Sequence, residues 1–119
     1  MTKDELIQRT QDFALRVIRL VDALSTGTIG SVLGKQLLRC GTSVGANYRA
    51  ACRAKSKADF INKFKIVEEE CDESLYWMDL IVAAKLVSKP QVRLFSHEAN
   101  ELLSIIVAAI RTTRTNRKS

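Results

Sequence analysis

One proline and five glycines in 119 residues leave too little turn material for more than a few long elements. Aromatic residues are sparse, and β-branched runs bounded by turn signals are absent, so those elements read as helices. Apolar residues recur at helical spacing in four successive stretches. A chain of this length forms one domain, residues 1–119, and can bury a core without disulfides or metal. The spacing predicts an all-α antiparallel up-down four-helix bundle with short connections.

The first helix opens on a capping box, Thr2 with Glu5 three residues on. Ile7, Phe13, Ala14, Val17, Leu20, Val21 and Leu24 form its apolar face, and Ser25, Thr26, Gly27 and Thr28 end it. The second helix starts near Ile29, with Leu33, Leu37, Cys40, Val44 and Ala51 toward the core. Gly30, Gly34, Gly41 and Gly45 fall on one narrow stripe beside that face. Each interior glycine costs a helix about 1 kcal/mol. So regular a stripe reads as a small-residue ridge that lets another helix approach, within one continuous helix. The third helix runs from about 57 to 85, with Phe60, Phe64, Val67, Cys71, Leu75, Met78 and Val82 on one stripe. Ile66, Trp77, Leu80 and Ala84 lie opposite, and a helix apolar on two faces is packed on two faces. Pro90 suits the first turn of the fourth helix, from about 91 to 113. The apolar end of that helix includes Ile105 and Val107, more than one small bundle covers. Ile66, Trp77, Leu80, Ile105 and Val107 are therefore the candidate oligomer interface.

Charge is ordered along the chain, within a net charge of +6. The stretch 39–65 holds Arg39, Arg49, Arg53, Lys55, Lys57, Lys63 and Lys65 against one acid, Asp59. Glu68, Glu69, Glu70, Asp72, Glu73 and Asp79 then reverse the sign. On a continuous second helix Lys35, Arg39, Arg49 and Arg53 project within about 80° of one another. Thr42, Ala46 and Ala50 lie between them, so the face is flat as well as positive. Lys55 and Lys57 extend it across the turn, and Arg114, Arg117 and Lys118 add a basic tail. Such an array suits phosphate backbones, since each neutralised phosphate releases counterions. It equally suits a solvated face. No aromatic interleaves with these residues, so backbone contact rather than base stacking or sequence readout is expected.

The chemistry of catalysis is poorly represented. Glu69, Asp72, Glu73 and Tyr76 share one helix face, but a carboxylate-bridged di-iron bundle needs Glu-x-x-His motifs from two helices. The single histidine is His97, and position 94 is Leu94. A solvated face, or ion pairs to the basic face of a neighbouring subunit, fits the acids better. Cys40, Cys52 and Cys71 have no histidine nearby in sequence and form no CxxC; Cys40 and Cys71 lie on core stripes as small hydrophobes. Asn47 reads as a structural amide satisfied by a backbone carbonyl. The glycines form no phosphate-cradling loop. No enzyme activity, cofactor or metal is expected. No apolar run approaches the ~20 residues of a membrane span, no signal core is visible, and a reducing cytoplasm is the expected compartment.

The run from Leu37 to Ile81 resembles the bacterial four-helix-bundle family of 23S rRNA intervening-sequence proteins. The resemblance rests on Arg39 with Ser43, Ala46-Asn47, Lys57-x-x-Phe60-Ile61, and Glu69 through Glu73 leading to Leu75-Tyr76-Trp77. Many members have an Asn-Ile-Ala-Glu-Gly stretch; Asn47, Tyr48, Arg49, Ala50 and Ala51 stand here, adding positive charge where others carry an acid. The resemblance implies a ring-forming bundle, typically a homopentamer, without established enzymatic activity. A related group, the accessory variability proteins of diversity-generating retroelements, implies RNA or DNA and a reverse transcriptase as partners. The reading is a noncatalytic, oligomeric nucleic-acid-binding protein; the alternative is a scaffold whose basic face docks an acidic protein.

Overall fold

The computed structural model describes residues 1–24 and 27–116, with the side chain of residue 116 excepted. Four helices follow one another: α1 (Lys3–Asp22), α2 (Thr28–Cys52), α3 (Lys57–Ala83) and α4 (Lys89–Asn116). No strand occurs among the described residues. Ser25 and Thr26, assigned above to the end of the first helix, lie outside them.

The caps explain the boundaries. Thr2 Oγ1 accepts from the Glu5 N–H at 3.1 Å, as the capping box requires. Helix α3 stops at Ala83, short of Lys85, because Lys85 adopts a left-handed φ of 62°. The Leu86 N–H then reaches the Ile81 carbonyl and the Lys85 N–H the Val82 carbonyl, closing a Schellman motif. Helix α4 begins before Pro90 rather than after it. Proline lacks only an N–H that the first turn leaves unbonded anyway, and Gln91 Oε1 accepts from the Ser88 N–H at 2.6 Å.

Consecutive helices pack on one another and α4 returns to α1, while the diagonal pairs α1–α3 and α2–α4 make no close approach among the described residues. Thr10, Val17 and Val21 of α1 meet Gly45, Gly41 and Gly34 of α2 in reverse order, so the pair is antiparallel. The result is an up-down bundle of 52 × 22 × 21 Å. Phe13, Val17, Leu37, Phe64, Met78, Leu102 and Ile106 form its fully buried centre. Helix α2 is continuous, and its glycine ridge is the seam against α1. On α3 the buried face shifts from the expected stripe: Ile61, Ser74 and Ile81 are buried, whereas Phe60, Leu75 and Val82 are half-buried. Packing between α2 and α4 widens the buried sector of α3 beyond one stripe.

A Cβ on Gly41 would stand 2.6 Å from Val17 Cγ2, inside van der Waals contact. Val17 is fully buried and, being β-branched, has little rotamer freedom to retreat. Gly41→Ala should therefore lower stability by about 1 kcal/mol or more despite the helix-propensity gain. In a Val17→Ala background the same substitution should become stabilising by about 1 kcal/mol. A double-mutant cycle by urea denaturation checks the sign reversal.

Candidate nucleic-acid interface

Helix α2 is held by α1 along one side and α3 along the other, which leaves the strip carrying Lys35, Arg39, Ala46, Arg49, Ala50 and Arg53 outward. The four basic residues do not act as one array. Arg49, Arg53 and Lys63 line a shallow hollow floored by Ala46 and Ala50. Arg39 instead turns toward α3, where its guanidinium pairs with Glu73 and lies 3.5 Å from Glu70 Oε2. Lys35 stands about 27 Å along the axis from Arg53, five helical turns away.

The turn after α2 is rigidly built. Ser56 Oγ accepts from the Asp59 N–H at 3.1 Å, and Asp59 Oδ2 accepts from the Lys55 N–H at 3.0 Å and from Lys63 Nζ at 3.1 Å. These contacts, the Lys55 N–H foremost, hold the Asp59 carboxyl below its ordinary range. They also fix where Lys55 and Lys57 leave the backbone. Around the corner, Lys65, Arg111 and Arg114 line a second hollow with Glu68. Lys63, Lys65 and Arg111 were not among the residues singled out for binding. Only the antiparallel packing of α3 and α4 brings them to the end of the bundle where Arg49 and Arg53 lie. Arg117 and Lys118 lie outside the described residues.

The acids of α3, expected on a solvated face or in ion pairs to a neighbouring subunit, divide. Glu69 and Asp72 are exposed, whereas Glu70 and Glu73 engage Arg39 of the same chain, and Trp77 Nε1 donates to Glu73 Oε2 at 3.3 Å. Burial pushes the Glu70 carboxyl up, against the pull of Arg39. A second clamp, invisible in the sequence, joins α1 to α4: Arg9 Nε donates to Glu98 Oε1 at 2.9 Å, and its other branch reaches Glu98 Oε2 and Glu101 Oε1. Asn47 Nδ2 donates to the Ser43 carbonyl at 2.8 Å, the structural amide role expected of it. Cys40 and Cys71 are buried, and burial pushes the Cys71 thiol up to about 12, far from a thiolate nucleophile. His97 is exposed beside Glu101. Among the described residues no three His, Cys, Asp or Glu side chains are grouped to hold a metal ion.

The residues proposed for self-association are scattered. Ile66 is exposed, whereas Trp77, Leu80 and Val107 are half-buried. Ile105 faces a cavity at the bundle end, on a different side of α4 from Val107. Further exposed apolar residues are Ile29, Val32, Leu15, Ile18, Tyr76 and Leu94; most adjoin an apolar neighbour in sequence, as Leu15 does Ala14, Ile18 does Val17 and Leu94 does Phe95, so a run of apolar residues did not reveal which member faces outward.

These features define a basic, antiparallel helical bundle. More particularly, the chain belongs to the 23S rRNA-intervening sequence protein family, whose model matches residues 2–108. It is similar to a crystal structure from Bacteroides thetaiotaomicron, described as a protein with unknown function from the S23 ribosomal protein family. The two are 32% identical, with a TM-score of 0.87 over 93% of this chain and 99% of the other. No curated protein matches significantly. No helix among the described residues is long and apolar enough to cross a membrane.

Glu70 yields a pH prediction. Its carboxyl is raised in the fold above the ordinary 4.5, so the folded state binds the proton more tightly than the unfolded chain. Its contribution is then fully present below pH 4.5 and is lost as pH rises through the folded value. Glu70→Gln should accordingly raise stability at pH 7 relative to the parent, with the difference vanishing toward pH 4. Thermal melts of both proteins across that range measure it.

Proposed function

We propose that this protein is a noncatalytic, oligomeric nucleic-acid-binding bundle that grips the phosphate backbone of structured RNA or DNA. The observation that carries this reading is the hollow where Arg49 and Arg53 converge over Ala46 and Ala50, with the Lys63–Asp59 ion pair at its edge and the turn bearing Lys55 and Lys57 beside it. A flat floor admits a backbone closely, and convergent cations release its counterions. Base recognition has no support here, since Tyr48 is buried against Phe64 rather than displayed. Membership in a family described by an rRNA intervening sequence supports RNA as the partner to test first. Self-association into a ring would repeat the basic end and strengthen weak contacts; exposed Ile29, Val32, Ile66 and Leu94 support it.

Fluorescence anisotropy with a labelled structured RNA at ~50 mM salt should show binding that falls steeply as salt rises. Arg49→Ala with Arg53→Ala should weaken binding alike across sequences and reduce the log–log salt slope by about 1 per residue. Arg39→Ala should change it little, because that guanidinium is committed to Glu73. No binding at low salt, with capture of an acidic protein instead, would transfer the basic face to the scaffold reading.

Self-association is read separately. Light scattering at micromolar concentration should report several times the 13.3 kDa chain mass. Ile66→Asp, at an exposed site that the fold does not need, should lower that mass; a monomer at all concentrations excludes the oligomer.

A further inference from the structure

The bundle core opens at the end where α1 and α3 begin. A cavity of about 540 Å³ enters there, within the size range of small-molecule sites. All four helices wall it, through Leu6, Tyr48, Phe60, Phe64, Ile105 and Ala109. Leu6, Tyr48 and Phe64 belong to the buried core, so the floor of this open recess is apolar. Lys3, Lys55 and Lys57 stand at its mouth, and among the described residues no carboxylate lines it, although Asp4 is near enough to act on the Tyr48 hydroxyl. The nearby Asp59 carboxylate is already bonded to the Lys55 N–H and to Lys63.

We infer that this cavity binds an amphipathic anion, an apolar chain ended by a carboxylate or a phosphate monoester. The chain lies among Tyr48, Phe60, Phe64 and Ile105, where burial of methylenes is favourable and requires no polar partner. The head group remains at the mouth against Lys3, Lys55 and Lys57. A polypeptide segment is a poorer occupant, because its backbone N–H and C=O groups need partners that these apolar walls do not offer. A sugar-phosphate backbone is excluded from the interior on the same ground, so this site is separate in kind from the arginine-lined hollow on α2.

Isothermal titration calorimetry on the full chain tests the assignment, using dodecanoate, dodecyl phosphate, dodecyltrimethylammonium and butanoate below micelle-forming concentrations. One anion per chain should bind saturably, and the tighter of the two twelve-carbon anions identifies the head group. The cation of equal chain length should bind about tenfold or more weakly, and butanoate not measurably. Lys3→Glu with Lys55→Glu alters only exposed side chains and should weaken anion binding by about tenfold or more without loss of helicity by circular dichroism. Ala109→Trp should fill the cavity and abolish binding; if that variant fails to fold, the lysine pair decides alone. Equal binding of anion and cation, insensitivity to the lysine pair, or no saturable binding of either anion overturns the assignment.

Discussion

The contact of Val17 with the bare backbone of Gly41 governs how this bundle is assembled. The absence of a Cβ at Gly34, Gly41 and Gly45 lets Val21, Val17 and Thr10 of α1 seat against α2 itself. Helix interiors disfavour glycine, so the seam gives up local stability for interhelical approach. The gain is rotational definition. With one flank of α2 set against α1 and the other against α3, the strip bearing Ala46, Arg49, Ala50 and Arg53 has only solvent to face. The basic surface follows from the glycine seam on the far side of the same helix.

Charge is then distributed by two polar clamps. Arg39 draws Glu70 and Glu73 of α3 onto α2, and Arg9 draws Glu98 and Glu101 of α4 onto α1. Both bridge helices whose cores are already packed, and surface ion pairs of this kind set register and neighbour choice more than net stability. Their larger effect is on the field. Glu70 and Glu73 are paired with Arg39, while Arg49, Arg53, Lys65, Arg111 and Arg114, with Lys63 held on Asp59 beside them, gather toward one end of a 52 Å molecule. Inside, polar groups are satisfied locally. Thr10 and Ser74 donate to carbonyls of their own helices, and among the described residues no buried side-chain polar atom lacks a partner.

Helix number, order and approximate extent were legible in the sequence, because apolar periodicity and scarce turn residues are local properties. Thr2, Pro90 and Asn47 could each be given a role from chemistry that operates within one helix or its cap, and Gly41 a role as an approach point for another helix from the regular spacing of its stripe. The candidate site was legible only as a charge run. Lys35, Arg39, Arg49 and Arg53 share a helical face by angle, but angle is blind to the neighbouring helix that captures Arg39 and to the axial distance that isolates Lys35. What the sequence by itself determined was which segments are helical and which side of each is apolar, since periodicity and capping act over a few residues. Only the tertiary structure decided which charges remain available and where the core stays open. Lys63 beside Arg53, Glu73 on Arg39, and Phe60 with Ile105 around the end cavity are contacts between distant segments, and the geometry of helix packing alone brings them within reach.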